Sequence, residues 1–219
     1  MLNNKRIASE LNRVAKGLVA SEDVANTAGK YKNFTGIIKW KGSQGQVRNA
    51  TFELARYGIS WKDGVWEGGT WENGNWWDGT WKDGIWESGD WQGGTWEDGT
   101  WEYGVWKGGT WKCGIWKGGI WKGGTWRAGV WEGGTWWDGL WKSGVWESGT
   151  WWGGTWKDGT WDIGIWRDGT WGSGDWWDGT WENGVWEKGT WYAGIWEGGK
   201  WERGRDKHGV EHSDSPDNW

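Results

Sequence analysis

The chain of 219 residues has one cysteine, one proline, two histidines and two phenylalanines. With only Cys113 present, no internal disulfide can form, and nothing indicates an oxidising compartment. The single proline excludes a collagen-like or polyproline structure. No apolar run approaches the roughly 18 residues that a membrane-spanning helix needs, so we expect no membrane span.

The net charge and the number of histidines also limit the classes of function that the chain can have. A net charge of −5 argues against a nucleic-acid-binding surface, which would be basic, so nucleic acid is not an expected partner. His208, Glu211 and His212 match the H-x-x-E-H metalloprotease pattern by letter, but Gly209 and Pro216 are incompatible with the helix that this motif requires. With no other histidine, neither a Ser-His-Asp nor a Cys-His arrangement can form. We therefore predict that the chain is not an enzyme and has no catalytic residue, cofactor or metal site.

A five-residue repeat fills most of the chain. A tryptophan falls at every fifth position from Trp61 to Trp201, and a glycine follows three residues after each one. The unit is Gly-x-Trp-x-x, as in residues 79–83. A period of five fits neither a helix nor a continuous strand, and the glycines permit repeated bends. This pattern predicts an all-β solenoid of very short strands joined by turns.

The size of one coil is predicted from columns of like residues. Aspartates and β-branched residues recur at intervals of 20, which predicts a four-sided solenoid with about 20 residues per coil. The tryptophans are expected to face inward, because so many exposed indoles would far exceed the apolar surface of a soluble monomer. Each aspartate precedes a glycine, so we interpret it as a turn residue. The aspartates are Asp78, Asp98, Asp138, Asp158 and Asp178.

The period resembles that of the pentapeptide-repeat family, whose unit is Ala-(Asp/Asn)-Leu-x-x. The resemblance implies a right-handed quadrilateral β-helix in which the central residue and the small residue two before it point inward. Throughout residues 61–204, tryptophan takes the central place and glycine the small one. Tryptophan is much larger than leucine, and glycine in place of alanine returns part of that volume.

The segments outside the repeat predict separate roles. Residues 1–33 are interpreted as an N-terminal amphipathic α-helix, over about 4–20, and a linker, since Ile7, Leu11, Val14 and Leu18 share one stripe. Three roles are open for this helix. It would dock on the solenoid end or on another copy of the chain, target the chain to a partner or a membrane surface, or form a leader that is removed by processing. No apolar core of a secretory signal is present, which favours a cytoplasmic or virion-associated location. Residues 6–16 resemble the opening of proteins from large tailed bacteriophages, which implies a virion or phage-encoded protein.

Two further boundaries complete the predicted organisation. Residues 34–60 are expected to form N-terminal cap strands, 61–204 the solenoid and 205–219 a polar C-terminal tail. Something must shield the last tryptophan layer, so either the tail folds over it or a second copy stacks there, and we favour a homodimer formed by end-stacking.

Three functions are compatible with these features. The first is a structural or interaction protein, a rigid rod that joins a larger assembly through a protein partner. The second is a polysaccharide-binding module, in which outward-facing surplus tryptophans stack on sugar rings; three of them, separated by multiples of 20, would share one face. The third is nucleic-acid mimicry, as in pentapeptide-repeat proteins that bind topoisomerases, although lysines such as Lys82 and Lys107 interrupt the acidic surface it requires. The surplus tryptophans are Trp77, Trp137, Trp152 and Trp177.

Overall fold

The computed structural model describes residues 60–219 except 69, 72 and 73. Before residue 60 it describes Ser9, Asn12 and Arg13, which are helical, and the strand backbones at 18–20, 40–41, 46–55 and 58–59. The chain forms two compact units, Met1–Thr110 and Trp111–Trp219.

In both units, almost every strand of the repeat consists of a tryptophan and the residue before it, because the glycine turn leaves only these two residues extended. The first unit contains β1 (Leu18–Ala20), β2 (Trp40–Lys41), β3 (Gln46–Ala55), β4 (Gly58–Trp66), β5 (Thr70–Trp71), β6 (Asn75–Trp76), β7 (Thr80–Trp81), β8 (Ile85–Trp86), β9 (Asp90–Trp91), β10 (Thr95–Trp96), β11 (Thr100–Trp101) and β12 (Val105–Trp106). Strand β13 (Thr110–Trp111) contains the boundary between the units.

The second unit continues the same series and ends with a short 3-10 helix. Its elements are β14 (Ile115–Trp116), β15 (Ile120–Trp121), β16 (Thr125–Trp126), β17 (Val130–Trp131), β18 (Thr135–Trp136), β19 (Leu140–Trp141), β20 (Val145–Trp146), β21 (Thr150–Trp151), β22 (Thr155–Trp156), β23 (Thr160–Trp161), β24 (Ile165–Trp166), β25 (Thr170–Trp171), β26 (Asp175–Trp176), β27 (Thr180–Trp181), β28 (Val185–Trp186), β29 (Thr190–Trp191), β30 (Ile195–Trp196), β31 (Lys200–Trp201), β32 (Gly204–Arg205), β33 (Glu211–His212) and η1 (Pro216–Asn218).

The strand register defines the coil. In the first unit Trp81 pairs with Trp96 in a parallel ladder, and in the second Trp136 pairs with Trp151. The partner lies three repeats further along, so one coil consists of three repeats and has three sides. The predicted four-sided coil, with four repeats per turn, is therefore wrong. Aspartate, threonine and β-branched residues occur on all three sides, so their recurrence at 20 does not mark one turn. The right hand of the coil stays a prediction.

The predicted inward orientation of the tryptophans is confirmed in both units. The repeat tryptophans have an exposed fraction of 0% from Trp61 to Trp106 and from Trp111 to Trp186. Each ring stacks on the ring three repeats later; Trp131 and Trp146, for example, have centroids 4.9 Å apart and planes 6° apart. Within a coil the rings meet edge to face, as Trp131 and Trp136 do at 5.9 Å. Three indoles per coil thus close the triangular interior, and both contact geometries are ones that aromatic rings prefer.

Many of the buried indole N–H groups have no hydrogen-bond partner in the described part of the chain, including those of Trp126, Trp146 and Trp166. The Nε1 of Trp126 lies against the glycine turn of the next coil, 3.3 Å from where a Cβ on Gly144 would stand. Trp156 does reach such a turn, since its Nε1 donates to the Ser173 carbonyl at 3.1 Å. An unpaired buried donor costs roughly 1–3 kcal/mol, so stacking and burial of the ring must outweigh this cost.

The turn glycines are required by their backbone and by the neighbouring coil. Gly154 has φ +105°, a conformation that side chains disfavour, and a Cβ there would lie 2.5 Å from the carbonyl oxygen of Gly139. Gly153, the preceding residue, has an ordinary conformation, and its Cβ would stand 3.6 Å from the nearest atom, the carbonyl oxygen of Trp137. Only the second glycine of this pair is therefore fixed by the fold.

Antiparallel strands begin the first unit. Strand β3 pairs with β4, β2 pairs with β5, and β1 pairs with β3. These strands run against the first coil and occupy edges that would otherwise be open. Strand β1 also corrects one expectation: Leu18–Ala20 are extended, so the predicted N-terminal helix does not reach residue 20. The rest of that helix lies largely outside the described residues, and the predicted domain boundaries stay predictions.

The C-terminal tail covers the last layer of the second unit. Strand β33 pairs antiparallel with β32, and Trp219 meets Trp201 edge to face at 5.3 Å. The Trp201 Nε1 donates to the His212 carbonyl at 3.2 Å. Of the two alternatives for shielding this layer, the structure shows the folded tail.

Candidate functional site

The surface of each coil is set by the residue that follows each tryptophan. Its backbone N–H bonds to a tryptophan carbonyl of the preceding coil, as Lys142 N does to Trp126 O at 2.8 Å. The side chain leaves the core on the outer face, beside its equivalents three repeats away. Such residues therefore form three columns, one for each position in the coil. In the second unit we name a stretch of each: the aromatic column (Lys122, Trp137, Trp152, Arg167, Glu182), the basic column (Lys112, Arg127, Lys142, Lys157) and the acidic column (Glu132, Glu147, Asp162), which lies between Lys117 and Trp177.

The aromatic column brings together two of the predicted glycan-contact residues. Trp137 and Trp152 are 49% and 42% exposed and stack with centroids 5.2 Å apart and planes 7° apart. The Arg167 guanidinium lies 4.5 Å from the centroid of Trp152, and its Nη1 is 3.0 Å from Glu182 Oε2. Both faces of Trp152 are therefore occupied by neighbours in its own column.

The other two surplus tryptophans contact different residues. Trp77, in the first unit, carries the Lys62 Nζ 3.7 Å from its ring centroid. Trp177 lies outside the aromatic column and stacks on Tyr192 at 4.2 Å. The expectation that Trp177 shares a face with Trp137 followed from the four-sided coil and is wrong, since 40 residues is not a multiple of 15. Trp77 and Trp137 are 60 residues apart and hold the same position in the three-repeat register.

This arrangement limits what the tryptophans can bind. A sugar ring packs its C–H face against the flat face of an indole, and stacked rings turn their faces toward neighbouring coils and their edges toward solvent. In each of the four, at least one face is covered by a residue three repeats away. A contact of these tryptophans with glycans stays a prediction.

The sequence did not single out the residues that cover the rings, namely Lys62, Arg167 and Tyr192. The signal that could have found them is the interval of 15, which separates Trp137 from Trp152 and Trp177 from Tyr192. An Arg over an indole face is a favourable contact, because the ring quadrupole attracts the cation. These contacts stabilise neighbouring coils.

The predicted turn role of the aspartates is visible in the structure. The Asp138 Oδ1 accepts a hydrogen bond from the Gly139 N–H at 2.7 Å, and the Asp98 Oδ1 accepts one from Gly99 at 2.8 Å. The same bond occurs after Asp78, Asp158 and Asp178. These carboxylates are thus engaged by the adjacent turn amide.

A groove lies at the C-terminal end of the second unit, with a volume of ≈ 650 Å³. Lys188, Arg203, Arg205, Glu211 and His212 contribute to its lining. The Arg205 Nη2 lies 3.0 Å from Glu211 Oε1, so these two charges offset each other.

Asp206 forms hydrogen bonds with residues of the C-terminal tail. The His212 Nε2 lies 3.3 Å from Asp206 Oδ2. Desolvation raises the pKa of Asp206, but bonds from the Val210 and His208 amides and from His212 lower it, and the result is a pKa below the ordinary 3.8. Glu211 and His212 lie in strand β33, whereas the H-x-x-E-H motif would need a helix.

The described residues lack both a metal-binding cluster and a membrane-spanning helix. They contain no group of three His, Cys, Asp or Glu side chains placed to hold a metal ion. They also contain no helix of the length and hydropathy needed to cross a membrane.

Comparison with known protein families, with curated proteins and with solved structures finds no match. What the structure supports is a β-solenoid with a five-residue unit, compatible with a pentapeptide-repeat-like protein.

Proposed function

We propose that this chain is a non-enzymatic structural or interaction protein, a β-solenoid that joins a larger assembly. The observation that carries the proposal is the uninterrupted core, in which each repeat tryptophan from Trp111 to Trp186 is fully buried and stacked on its equivalents in the same unit. A solenoid of this kind presents a long, regular surface of outward columns, which suits extended contact with another macromolecule.

Two finer points belong to the same proposal. The coil is right-handed, in line with the strong general preference of parallel β crossovers for that hand. The assembly is a particle of a tailed bacteriophage, which is supported by the resemblance of residues 6–16 alone.

A second copy stacked end to end is the weaker form of self-association. The tail covers one side of the last coil, because its strand β33 pairs with the terminal strand β32. On another side the terminal strand carries Lys200, which pairs with Glu202 at 2.8 Å. A lysine on an edge strand opposes the addition of a further strand, so we place self-association on the sides of the solenoid and not at its end.

Hydrogen exchange of the full chain tests the proposal. The amide that follows each tryptophan donates a hydrogen bond to the preceding coil. Lys157 N donates to Trp141 O at 2.8 Å, and Glu102 N donates to Trp86 O at 2.7 Å. A structural solenoid predicts similar, strong protection of these amides in every coil of a unit. A block of coils that exchanges orders of magnitude faster would indicate a mobile gate of the kind ligand-binding sites use, and would contradict the proposal.

Glycan binding is the second candidate, and one observation favours it. The face of Trp137 turned away from Trp152 makes no ring or cation contact with any residue that the structure describes. The test is retention of the purified chain on cellulose, chitin and peptidoglycan, compared with Trp137→Ala. Tyr103→Ala is the matched control, since Tyr103 is an exposed aromatic residue, at 63%, outside the four tryptophans. Retention lost in Trp137→Ala alone would replace our proposal with this candidate, and the absence of retention would eliminate it.

A further inference from the structure

Charge is sorted by position on the second unit. In three successive coils the basic column presents Arg127, Lys142 and Lys157, which are all exposed. Five residues after each cation, the acidic column presents Glu132, Glu147 and Asp162. Among the residues that the structure describes, none of these six side chains forms an ion pair with another.

The two columns repeat at one distance. Stacked indoles on the side of the basic column, Trp126 and Trp141, have centroids 4.8 Å apart. On the side of the acidic column, Trp131 and Trp146 are 4.9 Å apart. Since both columns advance once per coil, a row of cations on one surface can face a row of anions on another with every charge opposed.

The fold does not impose this sorting. Like charges one strand apart repel, and a neighbouring opposite charge would relieve the repulsion. The first unit uses that solution, because Lys82 and Glu67 lie in successive coils with Nζ and Oε2 2.9 Å apart. The second unit uses it at Arg167 and Glu182. In three successive coils, however, it keeps Arg127, Lys142 and Lys157 in one column and Glu132, Glu147 and Asp162 in another, so a surface outside the unit can supply the opposing charges.

We infer that the basic column of one copy of this chain docks against the acidic column of a second copy. A second copy is the occupant that the charges favour, because it carries the complementary column at the same spacing, and Arg127, Lys142 and Lys157 span the same three coils as Glu132, Glu147 and Asp162. Apolar side chains flank both columns and supply contact area. Leu140 lies two residues before Lys142 of the basic column, and Val145, which is 38% exposed, lies two residues before Glu147 of the acidic column. The inference rests on the proposed function, since it names the partner and the surface of the assembly.

The geometry makes the interface heterologous. Each copy uses a different surface from its partner, so a pair still offers one free basic and one free acidic column. Association therefore continues beyond the dimer unless the rotation between copies closes a ring. Because the contact is largely electrostatic and exposed, it weakens as salt shortens the Debye length.

The experiment is sedimentation velocity of the full chain over a range of concentrations, at low salt and at about 0.5 M salt, where the Debye length is roughly 4 Å. We expect species larger than a monomer at low salt and a shift toward the monomer at high salt. The basic-reversed variant carries Arg127→Glu, Lys142→Glu and Lys157→Glu. The acidic-reversed variant carries Glu132→Lys, Glu147→Lys and Asp162→Lys. Each alone should weaken self-association by at least about tenfold, because like columns then face each other.

Mixing the two variants is the decisive step. One then has only acidic columns and the other only basic ones, so the mixture should recover association while neither component associates alone. The matched control reverses three exposed cations outside the columns, Lys188→Glu, Arg203→Glu and Lys207→Glu, and should leave wild-type association unchanged. Tryptophan emission verifies that each variant keeps its buried core.

Several results would overturn the inference. A monomeric wild type at low salt, association that the reversals do not change, or a mixture that fails to recover would each do so. If the wild type is monomeric but binds poly-aspartate through the basic column, the partner is a separate acidic polymer and our assignment is wrong. Failure here is distinguishable from failure of the proposed function, which would appear as polysaccharide retention or as a fast-exchanging block of coils.

Discussion

The two units of this chain have the same kind of core and differ in their surfaces. In the first unit Trp86 stacks on Trp101 at 4.9 Å, and in the second Trp146 stacks on Trp161 at 4.7 Å. Outside, the first unit pairs its charges across coils: Lys82 with Glu67 and Lys107 with Asp90. The second unit also has one such pair, Arg167 with Glu182, but over three successive coils it keeps Arg127, Lys142 and Lys157 in one column and Glu132, Glu147 and Asp162 in another.

The difference shows which positions the fold controls. A repeat residue in the core contacts the same kind of residue in the coils before and after it, so any replacement disrupts several identical contacts. An outward residue contacts mainly its column neighbours and the residues beside them, and those contacts are weak at the surface. The core positions are therefore held to one residue type, while the column positions accept different residue types.

The largest effect should come from the core and be equal in the two units. Trp146→Ala and Trp86→Ala each remove a ring stacked on both sides and leave a cavity. Each should lower the free energy of unfolding by about 3–5 kcal/mol. Denaturant titration of both variants measures this, and a clear loss in only one of them would show that the two cores are not equivalent.

The next effect concerns the turn. Gly154→Ala and Gly94→Ala place a Cβ at positive φ, against the glycine carbonyl of the preceding coil. We expect a loss of roughly 1–3 kcal/mol from the strained conformation, with overlap adding to it. Gly153→Ala and Gly93→Ala are adjacent controls, where a Cβ meets nothing closer than 3.5 Å. Equal stability of the test and control variants would contradict the account of the turn.

A smaller effect should follow from losing a turn acceptor. Asp138→Ala and Asp98→Ala each remove a bond to the next amide and should cost about 0.5–1.5 kcal/mol. Asn at either position keeps a side-chain oxygen and should recover most of the loss. Equal losses of stability at Asp138 and Asp98 would show that the turns of the two units are equivalent. An Asn variant as unstable as the Ala variant would contradict the role of the side-chain oxygen.

The smallest effect distinguishes the repeats from the tail. Asp206 has a pKa below 3.8 in the folded chain, so its contribution to stability is present above that pH and is lost as the pH falls through the lower folded pKa. We expect the His208 and Val210 amides to lose protection from hydrogen exchange in this acid range. In Asp206→Asn this acid dependence should be absent, and its persistence would show that another group is responsible.

The sequence was sufficient for the parts of the fold that depend on one repeat. Inward Trp, turn glycines and Asp–Gly turns all follow from the residue types and their order. Coil length depends on how repeats associate, and Thr80, Thr95 and Thr100 show why it was missed, since the same residue occurs on more than one side. Residues such as Arg127 and Lys142 form a column only when the chain is written in rows of three repeats.

The central claim is the three-sided coil of three repeats, and a cysteine cross-link tests it most directly. In a Cys113→Ser background, Lys142→Cys with Lys157→Cys places two thiols on adjacent strands, at roughly the 4.8 Å spacing that a disulfide can span. Lys142→Cys with Asp162→Cys places them four repeats apart. Mild oxidation should form a disulfide in the first pair and not in the second. A disulfide in the second pair alone would contradict the account and restore the four-sided coil.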